Sequence, residues 1–167
     1  VQYPLNNLTD CKTVIAQNGF TEMFLFGDLD AASGDTLTGI SVKGKTAENH
    51  IQLDIGSAFT DCSFEFCHVE GYVGGTTGFS QCTIGTISGV AGEMRSCGID
   101  NATITIANAS ELHLIDNTHS RVIGTGTCTI DCNGDGEVGI RGYTGGALII
   151  NKTSGAASLD WNSGSIT

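Results

Sequence analysis

The sequence predicts an all-β chain and, within that class, a right-handed parallel β-helix, a solenoid of stacked strands. Short runs rich in Ile, Val, Thr and Phe alternate apolar with polar residues, and Gly, Asn, Ser or Asp separate them. Glycine supplies 24 of 167 residues and proline only one, a composition that permits many tight turns and few strand breaks. A cysteine pattern repeats along the chain at short spacing. A β-sandwich or barrel is the alternative architecture.

The strand-like runs follow one another along the whole chain. No window of 11 residues keeps apolar side chains at the helical period, so we expect strands throughout. In order, the runs are KTVIAQ, EMFLFG, LTGISVKG, HIQLDIG, CSFEFCHVEG, CTIGTIS, ATITIANA, ELHLID, SRVIGTG, CTIDC, EVGIRG, GALIINK and ASLDW.

Four of the seven cysteines each precede Phe or Ile by two residues: Cys62, Cys82, Cys97 and Cys128. In the long gap before Cys128, Leu112 takes the cysteine position and Leu114 the isoleucine position. Self-similarity at this spacing is typical of a solenoid, and buried cysteine behaves as a small apolar residue. We therefore predict one inward-facing column made of these five positions. The pairs Cys62 with Cys67 and Cys128 with Cys132 lack the spacing of a zinc site.

The regular spacing does not extend to the first part of the chain. We therefore divide the chain into residues 1–50, a cap or attachment segment, and residues 51–167, the β-helix. A solenoid needs its end covered, which such a segment would do.

The charge of the chain excludes two classes of partner. Seven Lys and Arg residues against 18 Asp and Glu residues give a net charge of −11. Nucleic acids and anionic membranes both require clustered cations, so we expect neither as a partner. No apolar stretch is long enough for a transmembrane helix.

The run from Asp131 to Gly142, DCNGDGEVGIRG, begins like the calcium loop of an EF-hand. Asp131, Asn133 and Asp135 would supply oxygen ligands at the first, third and fifth positions. The twelfth position, which needs a bidentate acid, is Gly142, and strand-like runs flank the loop. We therefore interpret it as a polar turn. Asp131, Asn133 and Asp135 are the candidate ligands of a weak calcium site, and we expect no other cofactor.

A polysaccharide-cleaving enzyme is an alternative to a non-catalytic protein. Asp61 and Glu65 alternate onto one side of a strand-like run, with Glu70 and His68 nearby, and glycoside hydrolysis requires such paired carboxyls. The same alternation is typical of a solvated sheet face. The paired-Asp, Gly-His-Gly and Arg-x-Lys signatures of polygalacturonase-type β-helices are absent. We therefore assign no catalytic residues and expect no enzymatic activity.

The four histidines, His50, His68, His113 and His119, do not show the spacing of a helical metal pair. Solvent-facing imidazoles are therefore the default interpretation for them.

The last 28 residues, IRGYTGGALIINKTSGAASLDWNSGSIT, resemble a recurrent segment of tailed-phage and prophage virion proteins. The resemblance lies in an Arg-Gly-aromatic-Thr-Gly-Gly turn at residues 141–146, a Thr-Ser-Gly at 153–155, and Asp160 followed by Asn-Ser-Gly at 162–164. It implies a β-helical or β-prism piece of a trimeric tail, baseplate or fibre protein, and it supplies no catalytic residues.

The resemblance and the predicted fold lead to one functional expectation. The chain would be a structural or adhesive component of a virion: a tail, fibre, baseplate or capsid decoration protein. It would act outside the host cell as a homotrimer, with other virion proteins and host surface polysaccharide as partners. A calcium-stabilised secreted adhesin is a further alternative.

Overall fold

The computed structural model shows a stack of β-strands preceded by one helix. It describes residues 7–99, 101–107, 110–119, 127–132, 134–152 and 154–165. Strands dominate these residues, so the all-β class is confirmed, with one short helix as the exception. The predicted strand at 120–126 lies outside the described residues. The described helix is too short to cross a membrane.

The elements have the following bounds. Helix α1 spans Leu8–Asn18, and the strands are β1 Glu22–Leu25, β2 Leu29–Ala31, β3 Thr36–Thr38, β4 Ser41–Gly44, β5 His50–Leu53, β6 Ala58–Thr60, β7 Cys62–Glu65, β8 His68–Ser80, β9 Thr83–Arg95, β10 Gly98–Ile99, β11 Thr103–Ile106, β12 Glu111–Ile115, β13 Thr118–His119, β14 Thr127–Cys132, β15 Glu137–Thr144, β16 Ala147–Lys152 and β17 Ser158–Ser165.

Helix α1 corrects the predicted strand KTVIAQ. The Asn7 side chain caps its N-terminus by accepting the backbone N–H of Asp10 at 2.8 Å, and Gly19 ends it in the left-handed conformation. Only Leu8 and Cys11 are buried on it, and Cys11 contacts Met23 of β1. With so narrow a buried stripe, the helical period is hard to see in the sequence.

All strand pairings among the described residues are parallel, and each joins residues 15 to 26 positions apart. The shortest step joins Cys62 to Thr77 (77 − 62 = 15), and the longest joins Glu111 to Glu137 (137 − 111 = 26). Pairing already begins with β1, which pairs with β4. The predicted boundary after residue 50 falls within β5, between His50 and Ile51, and coincides with no break in pairing. That division of the chain stays a prediction.

The pairings form three ladders. The first ladder joins β1, β4, β7, the ends of β8 and β9, β12, β15 and β17. The second joins β2, β5, the beginnings of β8 and β9, β10, β13 and the end of β15. The third joins the middle of β9 to β11, β14 and β16. β3 and β6 form a separate parallel pair.

The core consists of inward side chains stacked in register. In the first ladder each buried residue pairs with the next along one column: Met23, Val42, Phe64, Phe79, Met94, Leu114 and Ile140. The rings of Phe64 and Phe79 stack with centroids 5.5 Å apart. Apolar burial of this kind is the main stabilising contribution to a fold.

A column at the start of the second ladder differs from the predicted cysteine column. It comprises Asn49, Cys67, Cys82, Cys97 and Asn117, and we call it the corner column. Each member directly precedes one of the register-paired residues His50, His68, Thr83, Gly98 and Thr118, and all five are buried.

The predicted single column of Cys62, Cys82, Cys97, Leu112 and Cys128 is therefore wrong. Cys62 pairs with Thr77 in the first ladder, where Leu112 also lies, paired with Gly92. Cys128 pairs with Leu148 in the third ladder. Cys82 and Cys97 share the corner column with Cys67 and two asparagines. Cys62 and Leu112 share a different column, in the first ladder, through the paired residues Thr77 and Gly92. The prediction that these cysteines are buried is confirmed.

Candidate metal centre

Two histidines and a glutamate meet on the outer side of the second ladder. β5 and β8 pair so that His50 lies beside His68 and Gln52 lies beside Glu70. Ile51 and Val69 point inward and are fully buried, so the alternation of the strands turns His50, His68 and Glu70 outward. The register of one strand pair thus brings the three side chains together.

The polar atoms of these side chains lie close to one another. Glu70 Oε1 lies 3.2 Å from His50 Nε2, and Glu70 Oε2 lies 3.7 Å from His68 Nε2. The two imidazole rings approach edge to face with centroids 4.9 Å apart. One ligand atom from each residue falls within 4.8 Å of the other two. About a third of each side chain is exposed, so solvent reaches the group.

Neighbouring residues hold this arrangement and leave room around it. The backbone N–H of His50 donates to Asp28 Oδ1 at 2.9 Å, and this bond links the start of β5 to the residue just before β2. On the other side lies Gly85 of β9. A Cβ there would lie 2.8 Å from Glu70 Oε2 and 3.1 Å from His68 Nε2. The missing side chain at Gly85 gives Glu70 and His68 their space.

The default interpretation of the histidines as separate solvent-facing groups missed this site. A signal was present in the sequence, because HIQL at residues 50–53 and HVEG at residues 68–71 both begin with His followed by a β-branched residue. Aligning these two runs as neighbouring parallel strands would have placed one imidazole beside the other. His113 is different, since its imidazole lies 3.5 Å from Glu111 of its own strand and its register partner on β9 is Glu93, not a second histidine.

The predicted calcium ligands are only partly described. Asp131 ends up in β14, where its Oδ1 accepts a hydrogen bond from Asn151 Nδ2 at 3.0 Å. Asp135 Oδ1 accepts the backbone N–H of Ala156 at 2.7 Å. Asn133 lies outside the described residues. Asp131 thus bonds a residue of β16, and Asp135 bonds a residue between β16 and β17. Both the polar turn and calcium binding here stay predictions.

The carboxylates considered for glycoside cleavage are divided between elements. Asp61 directly precedes β7 and has a φ of 52°, whereas Glu65 ends β7 and lies 3.7 Å from Lys43 Nζ. The length of β7 places them roughly 10 to 13 Å apart along the strand. Glu70 belongs to the histidine group on the second ladder. Asp61 instead shares a shallow groove on the first ladder with Glu93 and His113.

Three buried thiols form a second chemically distinct group, inside the stack. Cys67 Sγ lies 3.8 Å from Cys82 Sγ, and Cys82 is also hydrogen-bonded to Cys97. These bonds to Cys82, together with burial, raise the pKa of Cys67 and of Cys97 well above the usual thiol range. Burial raises the pKa of Cys128 to about 12. The thiols of Cys67, Cys97 and Cys128 therefore stay protonated near neutral pH.

Comparison with known proteins gave no relative from which a role could be inferred: no family model, no curated protein and no solved structure matches this chain.

Proposed function

We propose that this chain is a right-handed parallel β-helix that serves as a non-catalytic structural or adhesive component of a tailed-phage virion. The observation that supports this most is the in-register column from Met23 to Ile140 in the first ladder. A column of this length gives a stiff elongated body, because each strand is fixed by the strands before and after it. Stiffness of this kind suits a tail, fibre, baseplate or decoration protein.

The outermost strands of the first ladder carry apolar side chains that suit assembly. Phe24 in β1 and Phe26 just after it are 56% and 73% exposed, and Leu159 and Trp161 in β17 are also exposed. Large exposed apolar groups mark sites of protein or ligand contact when they cluster. We assign Phe24 and Phe26 to a homotrimer or virion contact and Trp161 to stacking on host surface polysaccharide, and we place the chain outside the cell.

Molar mass by light scattering, with and without millimolar calcium, tests the assembly. We expect a trimer that is indifferent to calcium. A Phe24→Ser, Phe26→Ser double variant should shift the mass toward the monomer, whereas Ile55→Ser, at an exposed position in the turn after β5, should not. A monomer that calcium stabilises would contradict this assembly and favour the calcium-stabilised adhesin.

Binding to purified surface polysaccharides of candidate hosts tests the adhesive role. Trp161→Ala should weaken retention of the chain on the polysaccharide, whereas Ile55→Ala, at an exposed position in the turn after β5, should leave it unchanged. Equal retention of both variants and the parent chain would contradict a contribution of Trp161 to polysaccharide binding.

The shared groove of Asp61, Glu93 and His113 supports a second candidate, a polysaccharide-cleaving enzyme. Two carboxylates and an imidazole in one groove are the groups that acid–base cleavage uses. Release of reducing ends that depends on pH and disappears in Asp61→Ala would establish this activity. Glu65→Ala serves as the control, because Glu65 pairs with Lys43 and does not line that groove.

A further inference from the structure

We propose that His50, His68 and Glu70 bind a divalent transition-metal ion of the zinc class, and that the bound ion ties β5 to β8. The inference goes beyond the structural role proposed above and does not depend on it, because it concerns one local group of side chains. A metal at this place would link residues 18 positions apart (68 − 50 = 18) across two neighbouring strands.

The donor set decides the class of metal. Two imidazole nitrogens and one carboxylate oxygen suit zinc, cobalt, nickel and copper, whereas calcium and magnesium prefer all-oxygen sites. Catalytic zinc sites commonly use three protein ligands of these types and leave a further position to water. The three side chains here are about one-third exposed, so water can complete the coordination.

The geometry requires only small side-chain movements. Ligand atoms around a tetrahedral zinc ion lie roughly 3.3 Å from one another, given metal–ligand bonds of about 2.0–2.1 Å. His50 Nε2 and Glu70 Oε1 are already 3.2 Å apart, and no pair in the group exceeds 4.8 Å. Rotation of partly exposed side chains covers the remaining difference of about an ångström or more without moving the strands.

The backbone around the group is fixed by the fold. Ile51 follows His50 in β5, and Val69 lies between His68 and Glu70 in β8. Both are fully buried in the core. His50 and His68 therefore keep their relative register whether or not a metal is bound. Gly85 leaves the space beside Glu70 and His68 open, which a larger residue would fill.

Calorimetric titration of the chelator-treated chain with zinc chloride is the primary test. We expect one ion per chain and a higher melting temperature at saturating zinc, because a ligand that binds the folded state stabilises it. His50→Gln and His68→Gln should each weaken zinc binding by at least about tenfold, since losing even an outer-shell partner of a metal site costs 10–100-fold. His113→Gln, which removes an imidazole beside Glu111, should leave the affinity unchanged.

A further variant tests the geometry while keeping all three donors. Gly85→Val places a side chain against Glu70 Oε2 and His68 Nε2, and Gly85 does not have a positive φ that would forbid it. We expect zinc binding to weaken while the melting temperature without metal stays close to that of the parent chain. Unchanged zinc affinity in Gly85→Val would contradict the proposed position of the ion.

Cobalt(II) substitution separates this site from the cysteines and needs no variant. Binding to His50, His68 and Glu70 should give visible ligand-field bands without a thiolate-to-cobalt charge-transfer band. A thiolate band, a stoichiometry well below one, or zinc affinity indifferent to both His50→Gln and His68→Gln would each overturn the proposal.

Discussion

Asn117 Oδ1 accepts the backbone N–H of Cys97 at 2.7 Å, so an asparagine side chain takes the place of the next thiol in the corner column. Asn117 Nδ2 also donates to the backbone carbonyl of Met94 at 2.8 Å. The side chain is fully buried. One amide therefore satisfies two backbone groups where the first and second ladders meet, and it holds the turn between them.

Asn117→Ala should be strongly destabilising for that reason. The substitution leaves a buried N–H at Cys97 and a buried carbonyl at Met94 without their partner, at a cost of about 2–4 kcal/mol in the free energy of unfolding. Urea unfolding measures it. Asn162→Ala removes an exposed amide that bonds only to Asp160 among the described contacts, and should change stability by less than about 0.5 kcal/mol. Equal effects of the two substitutions would contradict the role of Asn117.

Phe79→Ala tests the stacked core of the first ladder. Phe79 is buried and its ring stacks on Phe64, so truncation should cost about 3–5 kcal/mol in the free energy of unfolding. Phe20→Ala removes the same group from a half-exposed position before β1 and should cost about 1 kcal/mol or less. Chemical denaturation of both variants checks the difference, and a cost for Phe79→Ala as small as that for Phe20→Ala would contradict the stacking.

Gly92→Ala should destabilise the bend within β9. Gly92 has a φ of +115°, and a Cβ there would collide with the backbone carbonyl of Thr77 in the paired strand. We expect a cost of at least about 2 kcal/mol, measured as a lower midpoint in urea. Gly78→Ala is the matched control, because its Cβ would lie 4.0 Å from Ser63 Cβ. Tolerance of alanine at both positions would mean that β8 and β9 pair differently.

The buried thiols predict a loss of stability in alkaline solution. Burial raises the pKa of Cys128 from 9.0 to about 12, so the unfolded chain releases this proton at a lower pH than the folded chain. Stability from this thiol is therefore complete below pH 9 and declines as the pH rises toward about 12. Cys67 and Cys97 shift in the same direction. Unfolding free energies at pH values below and above 9 measure the slope, which Cys128→Ala should reduce.

Thiol accessibility gives an independent check on the same burial. All seven cysteines are buried, so a water-soluble thiol reagent should label the folded chain slowly and label all seven once the chain is unfolded. Rapid labelling of several thiols under native conditions would contradict their placement.

The all-β class could be predicted because alternation of apolar and polar residues reports directly on strands with one buried side. Phe64, Val69, Ile84 and Ile99 are inward-facing as that alternation requires. The register could not be predicted from a fixed period, since the steps vary from 15 to 26 residues. Asn49 and Asn117 share a column with cysteines because burial and hydrogen bonding, not residue type, determine that position.

The candidate metal centre depends on register more than on composition. His50 and His68 are 18 residues apart, and only the pairing of β5 with β8 brings them together. A helical spacing rule cannot find such a pair. Helix α1 escaped the pattern analysis for a related reason, although Asn7 three residues before Asp10 and Gly19 at the end are readable capping signals.

Interstrand nuclear Overhauser effects in a uniformly labelled sample test the parallel stack most directly. The account predicts cross-strand contacts of the parallel type between β5 and β8 at His50 and His68, and between β8 and β9 at Val69 and Ile84. They should continue between β9 and β10 at Ile84 and Ile99. Close Hα–Hα contacts between sequential strands, the mark of antiparallel pairing in a sandwich or barrel, would contradict the stack and the metal centre built on it.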